Sequence, residues 1–300
     1  MDNFIIIITF LIIGMVIKRL PAFPAETGNV LNLFVIYVSL PALILLKFPG
    51  LKFTKNLLVP ALMPWAMLCL SCTLVLALAK VFKWDRATTG CLLLLIPLGN
   101  TSFLGIPMVK AFWGDKAIAY ALLYDQLGSF LALATYGSIV LAIYGTGENK
   151  PSLRGVIHKI ISFPPFIALV LAFLIRPFHY PPTAVKILKM LASTLVPLVM
   201  IAVGFQLTLR LKKDVISQLF TGLSIKLIAA PVAALLFCNM IGLEGKAVQV
   251  SIFESGMPPM VSAGALALLA DLSPALSAAL VGIGIILCFV TLPVLYQLLL

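Results

Sequence analysis

Two short stretches combine polar side chains with helix-breaking residues inside otherwise apolar sequence. The first stretch contains Asn100, Thr101, Ser102, Gly105 and Pro107. The second stretch contains Glu254, Ser255, Gly256, Met257, Pro258 and Pro259. A helix break at membrane depth is tolerated where its freed N–H and C=O groups are buried in protein or line a wet cavity. We therefore predict that both breaks contribute to one substrate-binding site, and two proline kinks packed by neighbouring helices are the alternative.

Two carboxylates lie inside apolar segments, where an ionised side chain is costly and marks a functional candidate. Glu254 adjoins the second break, and Asp125 precedes Gln126, an amide that we include in the binding site. We predict that Glu254 binds a coupling cation, either sodium or a proton, and a structural ion pair is the alternative. Asp125 is a second ion-coupling candidate, for which a role in helix packing fits equally well. Lys110 and Lys226 could offset an anionic substrate, although snorkelling or ion pairing is favoured.

The other reactive side chains form no catalytic pattern. Cys69 and Cys72 have CxxC spacing, but no second Cys or His pair completes a metal site. His158 and His179 lie near segment ends, far along the chain from the breaks. An intramembrane enzyme would need a nucleophile with a base, or a metal cluster. We therefore predict that the protein is not an enzyme and holds no cofactor or metal beyond a coupling Na⁺ or H⁺.

The composition indicates an integral membrane protein. The 300 residues are 62% hydrophobic and 10% charged, with a mean hydropathy of +1.16. Soluble domains carry roughly 25% charged residues, so this chain cannot form a water-exposed surface. The formal charge of +11 comes from basic residues scattered at the ends of apolar segments. That distribution is typical of membrane flanks and lacks the basic stripe of a nucleic-acid-binding protein, so we expect lipid as a partner and no nucleic acid.

Apolar runs between charged residues or Pro and Gly breaks predict ten transmembrane helices. They lie near 3–18, 29–48, 57–82, 88–113, 116–144, 155–175, 182–208, 215–242, 246–269 and 273–299. The polar connection 145–154 separates two halves of five segments, 1–144 and 155–300. Because five is odd, equivalent halves must enter the membrane from opposite sides, as an inverted repeat. Similar motifs, IPMVKA at 106–111 and PPMVSA at 258–263, lie in the equivalent segments four and nine.

The distribution of basic residues predicts an orientation by a small margin. Loops after odd-numbered segments hold eleven lysines and arginines, against nine after even-numbered segments. Cytoplasmic loops carry the excess of positive charge. We therefore predict that both termini are extracytoplasmic and that the central loop 145–154 is cytoplasmic.

The chain resembles the auxin efflux carrier family, in its short prokaryotic form, over nearly its whole length. The stretches that carry the resemblance are 40–43, 100–107, 124–126 and 257–259, together with Pro231. The resemblance implies an all-α fold of ten helices in two inverted repeats, in which broken helices four and nine cross at Pro107 and at Pro258 or Pro259. It also implies a scaffold of helices 1, 2, 6 and 7 and a transport domain of helices 3–5 and 8–10.

Members of that family move organic anions. The resemblance therefore implies a secondary transporter of a small organic anion, such as a carboxylate, in a prokaryotic plasma membrane, with elevator-like alternating access. Residues 254–256 also resemble the acidic stretch at the sodium site of bile acid sodium symporters, but Met257, Pro258 and Pro259 replace the polar residues that follow there. Sodium and proton coupling therefore both stay open. The long hydrophilic central loop of many plant carriers is absent, which disfavours auxin as the substrate.

Other functions and partners also stay open. A sodium-coupled symporter of a different organic solute is the main alternative. A channel would be expected to show rings of charge or a carbonyl filter repeated by symmetry. A homodimer is an open assembly state, beside the organic anion and lipid that we expect as partners.

Overall fold

A computed structural model describes residues 2–51, 57–146, 152–176, 180–207 and 213–300. Within these ranges the regular secondary structure is helical, apart from one isolated bridge. In chain order, the helices are α1 (Asp2–Ile17), α2 (Thr27–Lys47), α3 (Leu58–Phe82), α4 (Arg86–Leu95), α5 (Ile106–Trp113), α6 (Ile118–Tyr144), α7 (Leu153–Ile161), α8 (Pro164–Leu174), α9 (Pro182–Gln206), α10 (Ile216–Met240), α11 (Lys246–Ser255), α12 (Val261–Leu269) and α13 (Pro274–Leu298). The all-α prediction is confirmed.

Several helices have the length and composition of membrane spans. Among the described residues, six helices qualify, namely α2, α3, α6, α9, α10 and α13. Together α7 and α8 form a further candidate, bent by 61° at the break between them. The protein is thus a multi-pass membrane protein. The count of ten crossings and the inverted repeat stay predictions, and residues 147–151 of the predicted central loop lie outside the described residues.

The predicted segments four and nine each contain two helices. In segment four, α4 ends at Leu95, and a π-helical turn over Thr101–Gly105 precedes α5. In segment nine, α11 ends at Ser255 and α12 begins at Val261. The chain is therefore non-helical over residues 96–100 at the first predicted break and over residues 256–260 at the second.

Prolines account for three of the five π-helical turns in the described residues. Three turns, each followed two residues later by a proline, are Val35–Ser39 before Pro41, Thr101–Gly105 before Pro107 and Ile225–Ala229 before Pro231. Proline lacks an N–H, and its ring clashes with the carbonyl of the residue four positions earlier. In each case that carbonyl lies within the π-helical turn, where the wider i→i+5 pattern accommodates it. Two of these three turns carry buried polar residues of the candidate site, Thr101 and Lys226.

The described chain divides into two compact units, of which unit 1 comprises 1–54, 102–122 and 158–207. Within unit 1, α1 packs against α9 at Gly14 and Gly204. A Cβ added at Gly204 would lie 2.0 Å from the carbonyl oxygen of Leu11, and one added at Gly14 would lie 2.1 Å from that of Ile201. Such close backbone approach is a common feature of membrane helix pairs with small interface residues.

Unit 2 comprises 55–101, 123–157 and 208–300. Within it, α11 packs against α3 and α10, and α13 packs against α4 and α10. The helices α3 and α6 approach closely at Gly128, where an added Cβ would lie 2.1 Å from Pro64 Cγ. This packing surrounds the break after α11 with helices that carry the buried polar residues.

Asp85 caps the N-terminus of α4, the helix that leads to the first break. Its carboxylate accepts hydrogen bonds from the backbone N–H and the hydroxyl of Thr88, each 2.8 Å long. The backbone hydrogen bond from Thr88 is the main cause that lowers the pKa of Asp85 below its usual value. The cap therefore stabilises the protein at neutral pH, and this contribution is lost as the pH falls through the lowered pKa.

Asp85→Ala is expected to lower the free energy of unfolding by about 1 kcal/mol at neutral pH, because α4 loses its N-cap acceptor. Denaturant unfolding of purified protein in detergent measures the change. Asp85→Asn is the control, since asparagine caps comparably without titrating. Equal stability of Asp85→Ala and the wild type at neutral pH would show that the cap does not contribute.

Candidate functional site

The two breaks pair with each other through their backbones in unit 2. The N–H of Met260 donates to the carbonyl of Leu98 at 3.0 Å, and the N–H of Asn100 donates to the carbonyl of Pro258 at 2.8 Å. The residues between these partners lie opposite each other in an antiparallel bridge. Buried backbone groups need hydrogen-bond partners, and this pairing replaces some of the backbone hydrogen bonds that uninterrupted helices would make.

Proline placement explains why these stretches are extended. Pro97 precedes the first stretch, and Pro258 and Pro259 lie in the second, where they cannot donate the hydrogen bonds of a helix. The pairing differs from the crossing at Pro107 that the family resemblance implied. Pro107 lies in the first turn of α5, in unit 1, where its missing N–H is tolerated.

Asp125 accepts two side-chain hydrogen bonds at the start of a π-helical turn in α6. The Thr101 hydroxyl donates to Oδ1 at 2.6 Å, and the Gln126 amide donates to Oδ2 at 2.7 Å. Asp125 and Thr101 are both buried. These bonds connect α6 with the first break, and the ion-coupling and helix-packing roles of Asp125 both stay predictions.

Glu254 has a different environment in the last turn of α11. Its side chain is 0% exposed, and neither carboxylate oxygen accepts a hydrogen bond from a described residue. Asp125, Lys226 and the Tyr124 hydroxyl are close enough to interact with it electrostatically. A buried carboxylate without hydrogen bonds is unstable unless another charge or a proton offsets it.

Lys226 brings a positive charge to this group. It lies in the π-helical turn of α10 and is 3% exposed. Its ammonium lies next to the first break, since a Cβ added at Gly99 would be 3.1 Å from Lys226 Nζ. No ion pair at contact distance joins it to a carboxylate of the described chain. With Glu254 and Asp125 ionised, the three groups carry a formal charge of −1.

A small cavity adjoins these side chains within unit 2. Its lining includes Gly99, Thr101, Tyr124, Lys226 and Glu254, and its volume is about 10 Å³. A cavity needs roughly 10–15 Å³ to hold one water molecule. The space next to Glu254 therefore suits one water or one small cation.

Two amide side chains also have unpaired polar atoms in the described structure. Nδ2 of Asn100 has no hydrogen-bond acceptor, and Oε1 of Gln126 has no donor. Both residues are buried, with exposed fractions of 2% for Asn100 and 0% for Gln126. Each unpaired buried atom costs about 1–3 kcal/mol, so a bound solute that supplied the partners would be stabilised here.

The remaining predicted residues of the second break are buried in unit 2. The Ser255 hydroxyl donates to the carbonyl of Ile252 at 2.6 Å, which engages it within α11. Gly256 packs near Pro231, and Met257 packs against Gly99. These residues shape the break, whereas Pro258 and Pro259 take part in the backbone pairing.

Ser102, Gly105 and Pro107 belong to unit 1 rather than to the unit that contains Asn100 and Glu254. Gly105 and Pro107 are buried, and Ser102 is half-buried. Unit 2 therefore brings together Asn100, Thr101, Asp125, Gln126 and Glu254, but not these three residues.

Sequence reasoning left three residues of the unit 2 group out of the predicted site. The sequence favours a snorkelling or paired lysine at Lys226 and assigns no site role to Tyr124 or Gly99. The sequence signal for Lys226 is that it is a single lysine in an apolar segment with no acidic residue near it in the sequence. The signal for Tyr124 is its place in the stretch 124–126 that carries the family resemblance, whereas Gly99 gives no signal of its own.

A family of proteins described as membrane transport proteins has a sequence model that matches residues 1–296. The chain belongs to this family. The resemblance to auxin efflux carriers is thereby confirmed, and with it the conclusion that this is a transporter.

Two curated relatives of this chain are both named as uncharacterized transporters. One, from Methanocaldococcus jannaschii, is 28% identical over 273 residues, which cover 86% of this chain and 85% of that protein. The other, from Methanothermobacter thermautotrophicus, is 26% identical over 290 residues, which cover 96% of this chain and 94% of that protein. The likeness to these membrane transport proteins therefore extends over most of each chain.

Proposed function

We propose that this membrane transport protein is a secondary active carrier of a small organic anion, of the carboxylate class, coupled to one cation. The observation that carries the proposal is the pair of unsatisfied buried groups beside the paired breaks. The Asn100 amide offers a free donor to an anion, and the Glu254 carboxylate offers free acceptors to a cation. A site with both groups fits a solute and an ion that are transported together.

Lys226 supports the choice of an anion as the solute. Its ammonium lies beside the same break as Asn100, in a buried and therefore weakly screened environment. A carboxylate bound there would receive a hydrogen bond from the amide and electrostatic attraction from the ammonium. The Glu254 carboxylate would then repel the anion unless a cation neutralised the carboxylate. Binding of the anion and binding of the cation are therefore linked.

The composition of the two units supports an elevator-type mechanism. Unit 1 contains α1, α2, α8 and α9, which correspond to predicted segments 1, 2, 6 and 7, and it also contains α5, the second helix of predicted segment four. Unit 2 contains α3, α4, α10, α11, α12 and α13, together with most of α6. We propose that unit 1 is the scaffold and that unit 2 moves. The inverted repeat, extracytoplasmic termini, a plasma-membrane location and a homodimer remain parts of the same proposal.

Asn100→Ala tests the anion site. We expect the initial rate of labelled malonate uptake into proteoliposomes to fall about tenfold or more, because a hydrogen bond to a charged group contributes about 1.5–3 kcal/mol. Stability should change little, since Nδ2 has no partner to lose in the described structure.

Asn239→Ala, at an exposed position near the end of α10, is the matched control and should transport normally. Counterflow against internal malonate distinguishes a carrier from a pore. Unchanged uptake by a correctly folded Asn100→Ala protein would remove Asn100 from the site.

A sodium-coupled symporter of a different organic solute is the second candidate. It is favoured by the free Glu254 oxygens, since sodium takes oxygen ligands. Uptake of uncharged solutes that depends on sodium, with no uptake of dicarboxylates, would support it over the anion carrier.

A further inference from the structure

Unit 1 contains a cavity of its own, with a volume of about 440 Å³. It lies between the end of α2, the connection from α5 to α6, and the middle of α9. Its polar lining consists of Lys47, Lys110, Asp115, Lys189 and Ser193. Pockets that bind small molecules have volumes of roughly 300–1,000 Å³, so this cavity is large enough for a small solute.

The charges around this cavity do not balance. Lys47 Nζ lies 2.8 Å from Asp115 Oδ2, which is a hydrogen-bonded ion pair. Lys110 Nζ lies 3.8 Å from Asp115 Oδ1, too far for a hydrogen bond. Lys189 has no ion-pair or hydrogen-bond partner in the described part of the chain. Three ammonium groups therefore face one carboxylate, which leaves a formal excess of two positive charges.

Asp115 is ionised at neutral pH and already supplies its one negative charge, so the excess of two positive charges stands. The hydrogen bond from Lys47 is the main cause that holds the pKa of Asp115 below its usual value. Its side chain is 61% exposed, so the cavity is open to water on this side. A water-soluble anion can thus reach the lysines without crossing the apolar lining.

We propose that this cavity is a second anion-binding site, which takes a small dianion of the dicarboxylate class. Lys110 and Lys189 bind its two carboxylates, while Lys47 remains paired with Asp115. The site is separate from the Asn100 and Glu254 group, because its lining residues all belong to unit 1.

Lipid headgroups could supply the same anionic oxygens, and the charge balance favours the soluble dianion. A phosphodiester headgroup carries one negative charge and would leave one of the two excess positive charges unbalanced. A dicarboxylate neutralises both. The open side of the cavity at Asp115 also suits a ligand that arrives from water.

Calorimetric titration with malonate in phosphatidylcholine nanodiscs tests the proposal. The Asn100→Ala background is used throughout, so that the unit 2 site contributes little to the signal. Lys110→Gln and Lys189→Gln are each expected to raise the dissociation constant about tenfold. Lys186→Gln is the matched control, because Lys186 is an exposed lysine of α9 outside the cavity lining, and it should bind malonate like the parent.

Asp115→Asn is expected to change the dissociation constant for malonate in the opposite direction from the lysine variants. Removal of the negative charge should tighten malonate binding several-fold, because the dianion no longer faces a repelling carboxylate. If the ion pair between Lys47 and Asp115 is solely structural, Asp115→Asn will instead be less stable than the parent and will not bind malonate more tightly.

A second nanodisc preparation containing phosphatidylglycerol distinguishes the two sources of anionic oxygens. Malonate binding in phosphatidylcholine that depends on Lys110 and Lys189 supports the proposal. Absence of malonate binding there, or binding that neither lysine variant changes, would overturn it. A third outcome would also overturn the proposal. If malonate does not bind, and both lysine variants reduce the retention of phosphatidylglycerol, the cavity binds lipid.

Discussion

Glu254→Gln is expected to abolish cation-driven accumulation of substrate while leaving exchange of substrate across the membrane. Glu254 is fully buried, its oxygens accept no hydrogen bond from a described residue, and Asp125 adds a second negative charge nearby. A cation bound at Glu254 would offset this charge during transport. Glutamine has nearly the same shape as the neutralised carboxylate, so the variant mimics the loaded state and cannot release the cation.

Proteoliposomes separate the two activities. Accumulation of labelled malonate is measured under an imposed pH gradient and, separately, under a sodium gradient, and exchange is measured as counterflow without either gradient. Glu244→Gln makes the same chemical change at an exposed position between α10 and α11 and should keep both activities. Retained, normally coupled accumulation by a stable Glu254→Gln protein would exclude coupling through Glu254 to either cation.

The two cations predict different secondary results. If a proton neutralises Glu254, the variant loses accumulation driven by the pH gradient. If sodium does so, the wild type is stabilised by sodium according to its occupancy, and Glu254→Gln loses that stabilisation. Thermal unfolding with and without sodium therefore identifies the ion.

A structural ion pair with Lys226 predicts a third result. Removal of one partner of a buried pair costs about 3–5 kcal/mol, so Glu254→Gln would be unstable without an ion-specific effect. The described structure shows no such pair at contact distance. A double-mutant cycle with Lys226→Met measures the remaining interaction between the two charges.

Gly204→Ala is expected to destabilise the protein by about 3 kcal/mol. The new Cβ would lie 2.0 Å from the backbone carbonyl oxygen of Leu11, so α1 and α9 must move apart. Overpacking that shifts backbone atoms has costs of this size. Resistance to unfolding in detergent, followed by circular dichroism, measures the loss.

Gly50→Ala is the control for the glycine prediction. An added Cβ there would have its nearest neighbour 4.0 Å away, so the substitution creates no clash. It should leave stability nearly unchanged. A Gly204→Ala protein as stable as the wild type would mean that α1 and α9 do not approach this closely.

Features that depend on local sequence could be predicted. Apolar runs indicated where the helices lie, because lipid requires long apolar stretches with internally satisfied backbones. Prolines and glycines indicated the breaks after α4 and α11, because proline cannot continue a helical hydrogen-bond pattern. The buried positions of Asn100, Asp125 and Glu254 likewise follow from polar residues inside apolar segments.

Features that depend on pairing between distant residues could not be predicted. Hydropathy does not reveal that Asn100 pairs with Pro258, which is 158 positions away along the sequence. It also does not place Lys226 beside Gly99, or Lys47 against Asp115. Such contacts depend on how helices pack together, and many registers of two apolar helices have similar hydropathy.

The formal charge of −1 on Glu254, Asp125 and Lys226 makes the proposed carrier responsive to membrane voltage. A unit charge that crosses the whole membrane changes in energy by about 2.3 kcal/mol per 100 mV. If unit 2 moves as proposed, an empty site is driven electrically toward the positive side of the membrane. A cation at Glu254 makes the three groups neutral and removes their share of this force. Return of the empty carrier would then be the step on which the membrane potential acts through these groups.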